Sequence, residues 1–114
     1  MKNNKEYDSV INEYNIEFDS CKKSFLENKI AKSRVCARRA IGILVRRKAE
    51  LDDGFYGVNS LENLNYFSNK KFPIDVNEAA SRLQGGERSK IQGELFSDKP
   101  LDDLLILTSF LFNN

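Results

Sequence analysis

Seven basic residues lie between positions 30 and 50 of this 114-residue chain, in the stretch IAKSRVCARRAIGILVRRKAE. Glu50 is the only acid among them, so the stretch carries a charge of +6 in a chain whose formal net charge is +1. Guanidinium and ammonium groups bind phosphates and carboxylates, and arginine does so through paired N–H donors. The chemistry that these residue types offer is therefore the binding of anions.

Four of the basic residues form one candidate site. On a helical wheel, Lys32, Arg39 and Arg46 lie opposite the apolar residues of the stretch, and Arg47 adjoins them. Such a basic face is a candidate for binding the phosphates of a nucleotide or an RNA, with an affinity that falls steeply with salt. We favour the alternative, a solvated helix face or a set of ion pairs between subunits, because no aromatic residues alternate with the charges to stack bases.

Arg34 and Arg38 form a second candidate site. They are four residues apart and project into the apolar side of the same helix. One interpretation is a pair of structural ion pairs that tie this helix to its neighbours, for which Asn15 and Glu17 are candidate partners. The other interpretation is a groove that binds an anionic ligand. Either way we expect partners or water, since burying an unpaired guanidinium costs several kcal/mol.

The absence of histidine excludes several kinds of site. The sequence contains no histidine and two cysteines, Cys21 and Cys36, so neither a His-dependent catalytic triad nor a His-ligated or four-cysteine zinc site can form. We predict that both cysteines are buried free thiols; the alternative is a disulfide or redox pair. The adjacent acids at 52–53 and 102–103 have the positions of turn and helix-start charges. We therefore expect no enzyme activity, no metal and no cofactor.

Apolar residues recur every three or four positions through most of the chain, which predicts an all-α fold. We predict a single domain over residues 1–114, an up-and-down bundle of four or five helices. The helices are expected at about 5–26, 30–50, 61–69, 73–83 and from 100 onward, with a frayed terminus at 1–4 and a loop at 85–98. We find neither a signal-peptide pattern nor an apolar run of about 18 residues, so we expect a cytoplasmic protein with no membrane association.

The helix at 73–83 has the clearest local signals. Asp75 and Glu78 have the spacing of a capping box, and Ile74 with Ala79 has that of a hydrophobic staple. The expected inward face consists of Val76, Ala79, Ala80 and Leu83.

The last helix is apolar on more than one side. The side expected to face the core holds Leu101, Leu104, Leu105, Thr108, Leu111 and Phe112. Ile106, Leu107 and Phe110 lie on the other side. A helix that is apolar all round is buried all round, so we expect these three residues to form the interface of a homodimer; the alternative is that a long loop of the same chain covers them.

Two stretches carry a resemblance to a known family. AKSRVCARRAIGILVRR follows a long helix and a short link, and FPIDVNEAASRL follows Ser60. Together they resemble HEPN-type domains (higher eukaryotes and prokaryotes nucleotide-binding), and most closely a small bacterial branch of unknown function. The resemblance covers roughly residues 17–83. It implies an up-and-down helical bundle that dimerises through its long helices.

The resemblance also implies a range of functions. Nuclease members of the family share an Arg-x4–6-His motif that acts on the RNA phosphodiester, and this chain has no histidine to complete it. RNase activity is therefore not expected. Inert members pair with a small nucleotidyltransferase partner or act as interaction modules. We predict a non-catalytic, homodimeric helical interaction domain, with nucleotide or RNA binding through the basic face as the alternative.

Overall fold

A computed structural model of the chain describes residues 4–52, 64–68, 71–84 and 97–113. In these ranges it contains the helices α1 (Asn4–Leu26), α2 (Ile30–Asp52), α3 (Ile74–Gln84) and α4 (Pro100–Phe112), and a 3-10 turn over Asn65–Ser68. The same ranges contain no β-strand. The prediction of an all-α helical bundle is confirmed.

The helix boundaries agree with the sequence pattern to within a few residues. Helix α1 already includes Asn4, which was expected to be frayed. Of the short helix predicted at 61–69, the described part is helical from Leu64 and continues as the 3-10 turn. Residues 1–3, 53–63, 69–70 and 85–96, with most of the predicted loop, lie outside the described residues.

Helices α1 and α2 form an antiparallel hairpin across a link of three residues. The chain turns at Asn28, whose φ of 62° is in the left-handed region. The Asn28 amide donates to the Phe25 carbonyl at 3.1 Å, and the Lys29 amide donates to the Ser24 carbonyl at 2.8 Å. This is the Schellman arrangement, in which an asparagine can take the position usually held by glycine. It ends α1 and satisfies carbonyls that the helix leaves without partners.

One hydrophobic core is shared by all four helices and the 3-10 turn. The largest side chains that are fully buried in it are Phe67, Ile41, Leu64, Leu83, Leu104 and Leu107. Burying a side chain of this size contributes roughly 1.5–3 kcal/mol, so these residues supply much of the driving force for folding. Cys21 and Cys36 are both buried free thiols, as predicted.

Helix α3 starts differently from the way its sequence signals predict. The Pro73 carbonyl accepts hydrogen bonds from the amides of Val76 and Asn77, so the first turn is wound around Pro73. Asp75 is therefore inside the helix, and its carboxylate accepts a bond from the Val76 amide at 3.0 Å rather than capping position 78. Ile74 is 74% exposed, so it forms no hydrophobic staple. The predicted inward face of Val76, Ala79, Ala80 and Leu83 is confirmed.

Among the described residues, no helix has the length and apolar character needed to cross a membrane.

Candidate functional site

Arg34 and Arg38 lie on the side of α2 that faces α3 and the start of α4. Both side chains are half-buried. Arg34 Nε donates to the Ser97 carbonyl and Arg38 Nε donates to the Leu83 carbonyl, each at 2.5 Å. These partners are main-chain atoms, whereas the sequence had suggested the side chains of Asn15 or Glu17. Because a carbonyl has no sequence signature, such partners could not be read from residue types.

The hydrogen bond from Arg38 caps the C-terminal end of α3. Leu83 lies in the last turn of that helix, where carbonyl groups have no intrahelical donor and carry the negative end of the helix dipole. A guanidinium N–H is a suitable donor for such a carbonyl. Arg38 thereby ties the middle of α2 to the C-terminal end of α3.

The Arg34 contact leads into a buried polar cluster that consists of Arg34, Arg82, Ser97 and Asp103. The Ser97 amide donates to the Arg82 carbonyl at 3.1 Å, and Ser97 Oγ donates to Asp103 Oδ2 at 2.6 Å. Arg82 Nη2 lies 2.7 Å from Asp103 Oδ1. Ser97 and Asp103 are almost fully buried. The cluster thus joins α2, the last turn of α3 and the first turn of α4, and sequence reasoning missed it because its members are far apart in the chain.

Among the described residues, no acidic side chain pairs with the charge of Arg38. Its one hydrogen bond goes to a carbonyl, and no carboxylate of the described residues lies within ion-pair distance of it. Burial lowers the pKa of Arg38, and the neighbouring charge of Arg34 lowers it further. The side of α2 that faces α3 therefore holds a half-buried positive charge without a counter-charge among the described residues.

The basic face lies on a different side of α2. Lys32, Arg39 and Arg46 are exposed, and Arg47 is half-buried. Burial raises the pKa of the Cys36 thiol; Glu17 raises it further, whereas Arg39 and Lys32 act in the opposite direction. Glu17 of α1, Arg39 and Lys32 therefore all lie close enough to Cys36 to act on its thiol. The structure keeps the two candidate arginine sites apart.

The residues predicted to form a dimer interface lie largely inside the chain. Leu107 is 0% exposed and belongs to the core, while Ile106 and Phe110 are half-buried against it. The ring of Phe110 lies 4.7 Å from that of Phe72 and 6.4 Å from that of Phe67, measured between centroids. These aromatic residues of the same chain cover the side of α4 that the sequence had assigned to a second subunit.

The opposite side of α4 is partly exposed. Leu105 is 43% exposed and Phe112 is 59% exposed, although both were expected to face the core. Between them, Thr108 Oγ1 lies 3.0 Å from the hydroxyl of Tyr14 on α1. The apolar residues that remain open to solvent on this helix therefore lie along its border with α1.

Comparison of the chain with protein-family models, with curated proteins and with solved structures gives no match. Membership of the HEPN family accordingly stays a prediction from the two quoted stretches. Within the described ranges, no group of three or more Cys, Asp or Glu side chains is arranged to hold a metal ion. The described residues offer hydrogen-bond donors, positive charge and exposed apolar surface.

Proposed function

We propose that this chain is a helical interaction domain without catalytic activity of its own, and that it acts as a homodimer. The observation that supports the proposal is a stripe on α4 formed by Leu101, Leu105, Thr108 and Phe112. Their spacing of four, three and four residues keeps them on one face of the helix. Leu101 and Thr108 are half-buried, and the other two are exposed. We call these four residues the α4 stripe.

The α4 stripe suits a second copy of the same chain. Scattered apolar residues are normal on protein surfaces, but a row of them is a mark of an interaction site. Spacing of four and three is that of side chains which interdigitate between two helices. A two-fold axis would place the stripe against itself, as in most homodimers.

The test is the mass in solution, measured by light scattering over a tenfold range of protein concentration. We expect twice the 13.1 kDa of one chain. Leu105→Asp would place a charge in the interface and return the mass to that of one chain, with helical content unchanged by circular dichroism. Ile16→Asp is the matched control, because Ile16 is an exposed apolar residue on a different helix, α1. A wild-type monomer at every concentration would refute the proposal.

A second candidate function is the binding of nucleotide or RNA phosphates by the basic face. It is supported by the exposure of Lys32, Arg39 and Arg46, which are seven residues apart and so lie in one row along α2. Titration of a labelled single-stranded RNA should then give binding at low salt that weakens strongly at higher salt. The double variant Lys32→Glu, Arg39→Glu should abolish it. If the titration shows no RNA binding at low salt, this function is refuted.

The resemblance to the HEPN family adds a proposed partner. A nucleotidyltransferase-type protein is the partner implied for inert members, and it would meet a surface other than the α4 stripe if the stripe holds the dimer. The cytosol is the compartment we propose, which the two free, buried thiols support. Co-expression of the dimer with a candidate transferase, followed by light scattering of the purified species, tests the partner.

A further inference from the structure

The end of the hairpin, where α1 turns into α2, is basic and carries an exposed leucine. Residues 20–32 contain four lysines and a single acid, Glu27. Leu26 is 72% exposed, and every residue from 26 to 29 is exposed. The residues that carry this property, which we call the hairpin tip, are Lys22, Lys23, Leu26, Lys29 and Lys32. We propose that the hairpin tip binds the surface of a bilayer that contains anionic lipids, with Leu26 inserted among the headgroups.

The last turn of α1 places the leucine between two cations. Leu26 follows Lys22 by four residues and Lys23 by three, so on the helix surface it lies between them. All three side chains are exposed. An apolar side chain flanked by lysines is the pattern of a segment that lies in a membrane interface. The leucine can leave water there while the ammonium groups stay at the level of the lipid phosphates.

The first turn of α2 adds positive charge where it weakens the helix. The Lys29 carbonyl accepts a hydrogen bond from the Ser33 amide at 2.9 Å, so Lys29 holds the N-cap position, and Lys32 follows within the first turn. This turn contains no acid. Cations here oppose the positive end of the helix dipole, and the polar side chains that usually cap a helix are missing. Residues that break a local stability rule are expected at functional sites. An anionic surface would supply the missing negative charge.

The kind of cation and the exposed leucine favour a bilayer over a single phosphate ligand. All the cations of the hairpin tip are lysines, which act as point charges and lack the fork with which arginine matches one phosphate. Point charges suit the diffuse negative potential of an anionic leaflet. No helix of the described residues can cross a membrane, so the contact is with the surface only. The expectation of no membrane association rested on the absence of a span, which does not exclude such a contact.

The experiment uses the full chain, which contains no tryptophan. Leu26→Trp introduces a single indole at the hairpin tip, and its emission should shift saturably to shorter wavelength on titration with vesicles of phosphatidylcholine and about one third phosphatidylserine. Vesicles of phosphatidylcholine alone should give no shift. Ile16→Trp is the matched control, at a position 65% exposed and earlier on the same helix, and its emission should not change. Equal shifts at the two positions, or with the two kinds of vesicle, would overturn the proposal.

Two charge variants locate the contact on α2 and α1. Lys23→Gln, combined with Leu26→Trp, should weaken vesicle binding about fivefold, which is the factor that one lysine contributes beside an anionic surface. Arg39→Gln in the same background should weaken it less than about twofold, because Arg39 lies about 15 Å along α2 from Lys29, beyond the Debye length. A larger loss with Arg39→Gln would assign vesicle binding to the basic face and overturn the proposal.

Single-stranded RNA separates a membrane from a nucleic acid as the partner of the hairpin tip. At the same total phosphate concentration, RNA should leave the emission of the Leu26→Trp variant unchanged, even if the basic face binds it. A shift with RNA as large as that with anionic vesicles would show that the tip does not select lipid, and would refute the proposal. The outcome does not depend on dimerisation, because the hairpin tip and the α4 stripe share no residue.

Discussion

Arg82 and Asp103 are joined by a forked ion pair that connects α3 to α4. Arg82 Nη2 lies 2.7 Å from Asp103 Oδ1, and Arg82 Nε lies 3.2 Å from each carboxylate oxygen. Asp103 also accepts a bond from Ser97 Oγ, so both of its oxygens have donors. A carboxylate that is almost fully buried is tolerated only with this degree of compensation.

Arg82→Gln should destabilise the fold by about 2–3 kcal/mol, because it leaves the buried carboxylate of Asp103 short of its charged partner. Unfolding by urea, followed by circular dichroism, measures the change. Glu78→Gln is the matched control. Glu78 also lies near Arg82, at 3.9 Å, and it is exposed, so its loss should cost less than about 0.5 kcal/mol. Equal effects of the two variants would show that burial of Asp103 does not set the cost.

The orientation of α4 can be tested by two substitutions two residues apart. Leu107→Ala removes a fully buried side chain and should cost about 2–5 kcal/mol in the free energy of unfolding. Leu105→Ala acts at a position that is 43% exposed and should cost less than about 1 kcal/mol at protein concentrations low enough to exclude dimers. Denaturant titrations of the two variants give the comparison. The reverse order would mean that the helix is rotated relative to our description.

The difference between α3 and α4 explains how far the sequence could predict this fold. In α3 the apolar residues lie on one face, so their spacing predicted Val76, Ala79, Ala80 and Leu83 as the buried set, and the structure agrees. In α4 apolar residues lie on more than one side, so the pattern offers little contrast between the sides. Which side faces inward depends on contacts with Phe72 and Tyr14, which are distant in sequence.

The candidate site was predictable only in part. The spacing of Arg34 and Arg38 indicated two guanidiniums among apolar neighbours, and the structure finds both half-buried. The acceptors of their Nε groups are carbonyl groups, which every residue has, so these two contacts cannot be predicted from residue types. The sequence placed Asp103 near the start of a helix, but it did not indicate that Ser97 and Asp103 belong to a buried polar cluster.

The cysteines should be unreactive in the folded protein. Burial raises the pKa of Cys21 and of Cys36, so little thiolate exists near neutral pH. A thiol reagent at pH 8 should label the native chain at least about tenfold more slowly than the chain in denaturant. Labelling at equal rates would contradict the buried positions of both side chains.

The same groups predict a loss of stability at alkaline pH. Burial also raises the pKa of Tyr14. A raised pKa in the folded state means that the group loses its proton at a lower pH in the unfolded chain than in the folded one. Its contribution to the free energy of unfolding is therefore complete below the pKa of the unfolded chain, and it is lost as the pH rises through the pKa of the folded chain. We expect the free energy of unfolding to fall above about pH 8.5, where unfolded thiols begin to ionise. Urea titrations between pH 7 and 10 measure it, and a variant with both cysteines replaced by alanine should lose less.

Arg38→Ala should destabilise the fold by about 1 kcal/mol, because the Leu83 carbonyl loses its donor and the aliphatic part of the side chain no longer covers the core. Arg39→Ala, at an exposed position, should change stability by less than about 0.5 kcal/mol. Thermal unfolding, followed by circular dichroism, gives the comparison. A neutral effect of Arg38→Ala would show that solvent replaces the lost donor.

The turn at Asn28 has a consequence for the order in which the chain folds. It joins two helices of 23 residues each by the shortest connection in the described part of the chain. Contacts across it, such as the one between Cys21 and Ser33, span only 12 positions. The contact of Arg34 with Ser97 spans 63 and that of Tyr14 with Thr108 spans 94. Because closing a long loop costs more entropy before any contact forms, the hairpin of α1 and α2 is the expected folding nucleus. Helix α4 joins it late, and a substitution there should accelerate unfolding and leave the rate of folding almost unchanged.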